Sequence, residues 1–293
     1  DKETEFCYNI KSFEQRRQTE LAYVPMTPIC GLRSESGAPQ LELGREQLTL
    51  PAMAPSQRYA DRYHVQSYYE LIFFVRGTRL IRVGNQAYSC GPGSIIAMNP
   101  DEPHCGFTDV PVTYDRYVLH IYPDALLPFT DSTRLLHRPY CQNNLLELPP
   151  DARSEAFRLI AEAHLLRTAD VPQCYFILLR LLALLGRACP NLHPQTQHPA
   201  LLQQILQAIG RDDGTMTVAS LARNFGMSRT ALWRLFRSYF NVSPQQYLQM
   251  QRLAHAERLL RSGSNVTEAC LAAGCGECSR FIVHFRKVYG ATP

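Results

Sequence analysis

Two groups of residues in this chain have side chains that could do chemistry. The first is His64, Gln66, Glu70 and His104. Two imidazoles, a carboxamide and a carboxylate can together hydrogen-bond a small polar molecule, and imidazole with carboxylate also suits a first-row divalent metal. Three readings stand side by side: a polar effector pocket, a metal site held by His64, Glu70 and His104, and rim or core histidines with no ligand. The second group falls in two runs, Arg229, Thr230, Trp233, Arg234 and Arg237, then Ser279, Arg280, Ile282, Arg286 and Lys287. Arginine bonds guanine bidentately, and Arg or Lys also holds phosphates. In the first run Leu232, Leu235, Phe236 and Tyr239 keep the i, i+3, i+4, i+7 spacing of a buried helix face, so the polar residues point away from the core. Phe281, Phe285 and Val288 do the same in the second.

The elements that position the second group are written twice. "TVASLARNFGMSRTALWRLFRSYFNVSP" begins at Thr217, and "NVTEACLAAGCGECSRFIVHFRKVYGATP" at Asn265. Val218 pairs with Val266, Gly226 with Gly274, Phe236 with Phe285, and Pro244 with Pro293, with a one-residue slip in the turn. Each copy reads as helix, glycine turn, helix, the plan that places a second helix in the major groove. Ser243, Pro244 and Gln246 open a helix of some eighteen residues between them, a strut of about 27 Å. That length suits two adjacent major-groove segments about 34 Å apart. Residues 200–293 carry 11 Lys and Arg against 5 Asp and Glu, whereas residues 1–199 carry 19 against 21. The basic surplus lies where a nucleic-acid-binding module needs it.

The first group sits among short β runs between Leu41 and Tyr122: "QLTL", "YELIFFVRG", "RLIRVG", "QAYSC", "GSIIAMN" and "TYDRYVLHIY", with turns at Gly84-Asn85 and Cys90 to Gly93. Such spacing predicts a jelly-roll barrel or sandwich. Glu70 shares a period-2 face with Ile72 and Phe74, so an inward face would put an acid among apolar groups and require a partner. "PDEPH" locks a turn that aims His104 at the lumen. Residues 151–188 read as two helices joined at Asp170 to Pro172, with Phe157, Ile160, Ala161, His164 and Leu165 on one face of the first. The Leu-rich second helix is suited to packing on the barrel and on a second protomer, and its run Phe176 to Leu185 is too short to cross a bilayer. The predicted organisation is an arm at 1–38, an effector-binding and dimerisation domain at 39–188, a proline-rich linker at 189–199, and a DNA-binding domain at 200–293. The fold class is α+β and multidomain. Ten cysteines in so long a chain, with no signal-like N-terminus, suggest thiols in a reducing cytoplasm. Cys275 and Cys278, with Cys270 nearby, form a single CxxC, fewer than the four ligands of a closed zinc site.

With these residues in hand, His64, Gln66, Glu70, Gly77, Gly93, Pro100, Glu102 and His104 resemble the two motifs of the cupin superfamily, with Gln66 in place of the second histidine of metal-binding members. Residues 200–293 resemble the paired helix-turn-helix units of the AraC/XylS family of bacterial regulators. "ALWRLFRSYFNVSPQQYLQMQRLAHAERLL" and "AAGCGECSRFIVHFRKVYGATP" are the most specific pieces, and the resemblance covers about residues 40–293. It implies base reading at positions falling on Thr230, Trp233 and Arg234, and in the second unit on Ser279, Arg280, Ile282 and Val283. Where the family usually has an aromatic, this chain has Cys275, and where a polar or basic residue is common it has Val283. The chain stops at Pro293, before the family's usual terminal helix. The resemblance further implies promoter DNA, a small-molecule effector that is a sugar or another metabolite, a homodimer and RNA polymerase as partners, with no membrane, cofactor or catalytic residue. The alternative from the same residues is a metal-dependent cupin enzyme, or a metal or redox sensor, fused to a DNA-binding module.

Overall fold

The computed structural model describes residues 27–28, 41–50, 63–108, 110–123, 125, 140–189, 200–289 and 292–293. Most of the expected arm and of the linker lie outside them. Among these residues eight antiparallel strands form two sheets: β1 (Thr27–Pro28), β2 (Leu41–Leu50), β3 (Tyr69–Arg76), β4 (Arg79–Val83), β5 (Gln86–Cys90), β6 (Ile95–Met98), β7 (His104–Phe107) and β8 (Val112–Ile121). The larger sheet has the order β1-β2-β8-β3-β6 and the smaller β5-β4-β7. Within the arm, Thr27–Pro28 pairs as an edge strand on β2.

The two faces of the larger sheet have different neighbours. Leu41, Leu43, Leu71, Phe73, Ile95, Leu119 and Ile121 pack against two helices, α1 (Pro150–Leu166) and α2 (Val171–Ala188). Ile72, Phe74, Ile96, Met98 and Val118 pack with Ile81, Val83 and Cys90 of the smaller sheet and fill the interior between the sheets, the lumen of the barrel. β2 is longer than the run "QLTL" indicated. Its inner face alternates Glu42 and Glu46 with outer leucines, which weakens the apolar signal of the strand. β7 is a strand where the sequence suggested only a turn, since His104 and Gly106 offer no apolar alternation on their face.

Asp170 caps α2 by accepting a hydrogen bond from the Gln173 N–H at 3.1 Å. The face that α1 buries is Ala156, Leu159, Ile160 and Ala163, rotated from the expected stripe, and Leu165 is 75% exposed. The alanines let the helix approach the sheet closely, while Phe157 and His164 flank the contact by ring packing on Phe73 and Tyr117. α2 extends beyond the run Phe176 to Leu185 and, at 18 residues and a mean hydropathy of 1.4, is long and apolar enough to span a bilayer. Here it buries Cys174, Ile177, Leu178, Leu181, Leu182 and Leu185 in the core. Cys189, expected in the linker, caps this helix and is buried.

Among the described residues six helices follow: α3 (Ala200–Gly210), α4 (Val218–Asn224), α5 (Arg229–Phe240), α6 (Pro244–Arg261), α7 (Val266–Ala272) and α8 (Cys278–Tyr289). Side chains that satisfy orphan N–H groups start four of them. Thr217, Ser243 and Asn265 form capping boxes with Ser220, Gln246 and Glu268, and Ser228 caps α5. Gly226 and Gly274 turn the chain at φ of 62° and 66°, where a side chain is strained. The first unit shares a hydrophobic cluster with the barrel, whereas α7, α8 and the far end of α6 have their own.

Candidate functional site

The strand registers stack the lumen in layers. Glu42 lies opposite His120, which lies opposite Glu70; the next inward row is Gly44, Val118 and Ile72, and the next Glu46, Arg116 and Phe74. Three of the four residues named from sequence meet in the first layer. Gln66 Nε2 lies 3.4 Å from Glu70 Oε2 and from His104 Nε2, and His104 Nε2 is 3.5 Å from Glu70 Oε2. His64 joins through its backbone pairing with His104 and a ring centroid distance of 4.3 Å. Glu102, part of the second motif, is a structural carboxylate instead: it accepts from the backbone N–H groups of Asn99 and Cys141 and from the amides of Asn99 and Asn144.

Three residues that sequence reasoning missed, His120, Glu42 and Tyr68, complete the cluster. His120 reaches Glu70 Oε1 at 3.3 Å with one ring nitrogen and Glu42 Oε2 at 3.2 Å with the other. Tyr68 packs on the His120 ring at 4.2 Å. Burial works against the imidazolium, but the two carboxylates push the His120 pKa up to about 9. Burial likewise works against Glu70, yet His104 and His120 hold its carboxyl well below the usual range. The available signal was the alternation of Arg116, Val118 and His120 along β8 and of Glu42 and Glu46 along β2. Among the described residues no group of three or more His, Cys, Asp or Glu side chains is arranged to hold a metal ion.

The cluster continues out of the barrel. Arg261, at the end of α6, donates to Glu42 Oε1 at 2.8 Å and also pairs with Glu257. Near the start of α6, Tyr247 donates to the Asp101 carbonyl and Gln251 to its carboxylate, both at 3.0 Å. The Asp101 N–H in turn donates to the Gln66 carbonyl at 2.8 Å. At the β4–β5 turn Asn85 donates to the Arg237 and Ser238 carbonyls at the end of α5.

The second group of residues lies on the surface. Arg229, Thr230, Trp233, Arg234 and Arg237 are exposed on α5, and Leu232, Phe236 and Phe240 are buried beneath them. Arg237 donates to the Asn241 carbonyl and its guanidinium lies 5.6 Å from the Trp233 ring centroid. On α8, Ser279, Arg280, Ile282, Arg286 and Lys287 are exposed, and Val283 is 71% exposed. Glu277 engages both Ser279 and Arg280, the latter at 3.6 Å. The eight described cysteines are free thiols. Burial pushes Cys270 up to about 12 and Cys275 up to about 11, away from thiolate reactivity.

A double-sheet barrel with a buried polar cluster, tied to paired helix-turn-helix units with exposed cationic helices, defines a ligand-binding, DNA-binding regulator. The chain belongs to the AraC family of transcriptional regulators: the AraC-like ligand binding domain matches residues 47–215 and a helix-turn-helix domain matches residues 221–293. It is 23% identical over 264 residues to the HTH-type transcriptional activator RhaS of Klebsiella pneumoniae (strain 342), covering 85% of this chain and 91% of that protein. Over 77 residues it is 30% identical to the virulence regulon transcriptional activator VirF of Yersinia enterocolitica, 26% of this chain and 28% of that one. A crystal structure of unsaturated fatty acid bound ToxT from Vibrio cholerae shares the fold, with a TM-score of 0.53 at 13% identity over 86% of this chain and 93% of that chain.

Proposed function

We propose that this regulator answers to a small metabolite, a sugar or a relative of one, held in the barrel by His64, Gln66, Glu70 and His104 together with His120 and Glu42. The observation that carries the reading is the unbroken path Gln66, Glu70, His120, Glu42, Arg261, which runs from the lumen to the helix joining the two DNA-binding units. An effector that hydrogen-bonds Glu70 or His120 competes with this path, so its binding is linked to the position of α6 and of the second unit.

In this reading, α5 and α8 enter adjacent major grooves of promoter DNA. Thr230, Trp233 and Arg234 read bases, as do Ser279, Arg280 and Ile282 less strongly, while Arg229, Arg237, Arg286 and Lys287 hold phosphates. The pair α1 and α2 is the dimer surface, its exposed Leu165 and Phe176 being the apolar anchors. RNA polymerase is the further partner at the promoter. No residue is assigned a catalytic role.

The test is DNA occupancy measured by footprinting on promoter fragments the protein selects, with and without a metabolite panel. At least one metabolite should change the footprint of the native chain, and Arg261→Ala should keep DNA binding while losing that change. Occupancy that no metabolite alters, or an Arg261→Ala protein that responds normally, contradicts the proposal.

A further inference from the structure

We propose that Arg79 and Arg116 form an anion site in the lumen and take a carboxylate of the effector. This rests on the reading that the effector occupies the barrel and names its chemical class. Arg79 is 7% exposed, and among the described residues its Nε has no hydrogen-bond partner. No ion pair to Arg79 occurs among those residues either; its guanidinium lies 5.5 Å from the Tyr114 ring centroid. Arg116, from the neighbouring strand, lies 4.9 Å from the same ring. Glu46 is the carboxylate beside them, and Arg116 Nε already holds it at 2.5 Å. A buried guanidinium, Arg79, and a partly buried one, Arg116, whose side chain is 12% exposed, therefore share the Glu46 carboxylate.

A guanidinium cannot shed its proton at any ordinary pH, so a buried one needs an anion or hydrogen-bond acceptors. Burial and the adjacent Arg116 charge both work against the Arg79 cation. The site is shaped for that side chain: any Cβ at position 106 would collide with the Arg79 guanidinium, so glycine there lets it lie flat against β7. A carboxylate matches the planar donors of one guanidinium bidentately and can bridge to the second.

The experiment is calorimetric titration and thermal shift of the full chain with acetate, octanoate and gluconate, each beside its uncharged counterpart acetamide, octanamide or sorbitol. At least one carboxylate should bind and its neutral counterpart should not. Arg79→Met should weaken that binding roughly tenfold or more, the loss of one charge-assisted pair. Because Arg79→Met could also disturb folding, Glu46→Gln provides the opposite sign: freeing Arg116 should strengthen carboxylate binding several-fold. No carboxylate binding, equal binding of the neutral compounds, or a Glu46→Gln protein with unchanged or weaker affinity overturns the proposal. Footprinting of the same samples separates the two readings. Carboxylate binding that leaves DNA occupancy unchanged retains the anion site and contradicts effector control, while a footprint that answers only to neutral compounds does the reverse.

Discussion

Glu70 remains charged inside the barrel because two imidazole edges face it, and His120 remains charged because two carboxylates face it. Their pH dependences have opposite signs. The His120 pKa rises from 6.5 to about 9 on folding, so its stabilisation is complete below pH 6.5 and fades as pH climbs through 9. Glu42 and Glu70 have folded pKa values lowered from 4.5, so their contribution is present above that value and fades in acid. His120→Gln should therefore lower the thermal midpoint most near pH 6, with the difference from the native chain shrinking toward alkaline pH; a difference that grows with pH contradicts this. On the DNA face, Arg234 is exposed with no ion pair among the described residues, whereas Arg280 is already drawn to Glu277. Arg234→Ala should weaken specific binding by roughly 1 to 3 kcal/mol, and Arg280→Ala by less. Equal losses in a competition assay would remove the inequality between the two units.

Among the elements, the two helix-turn-helix units differ in how tightly their turns are packed. Nothing lies within 4 Å of a Cβ placed on Gly226, while one on Gly274 would strike the Gly214 backbone. Gly226→Ala should cost about 1 kcal/mol, the strain of a left-handed alanine. Gly274→Ala should cost distinctly more and loosen α7 and α8 first, because they form a separate hydrophobic cluster. Hydrogen exchange on the two variants checks the order; equal protection in both units would refute it. The capping residues and glycine turns were legible because each motif is local. The buried face of α1 was not, since a helix with apolar residues on two stripes takes whichever fits the sheet, and Ala156 and Ala163 fit more closely than Phe157 and Leu165.

At the scale of the molecule, α6 is held to the barrel at both ends, through Tyr247 and Gln251 to Asp101 and through Arg261 to Glu42. Glu42 is 1% exposed, so removing Arg261 leaves a buried carboxylate with only His120 and the more distant Tyr122 hydroxyl, at 3.4 Å, to support it. Glu42→Gln removes the charge along with the pair, and should free the second unit with less loss of stability than Arg261→Ala; scanning calorimetry of both variants tests that order. The basic surplus of residues 200–293 predicts a DNA affinity that falls steeply with salt, by a slope of about 0.9 per phosphate contacted. A flat salt series would exclude phosphate contacts as the main source of affinity.

The sequence by itself determined the doubled helix-turn-helix, the strand-rich region before it and three of the meeting polar residues, because period, caps and turn glycines act over a few residues. Only the tertiary structure decided which charges meet in the lumen. Glu42 and His120 are 78 residues apart and Arg261 is 219 from Glu42. They join because antiparallel register sets β2, β8 and β3 side by side and because α6 docks on the barrel, and no local pattern of residues encodes a register or a docking.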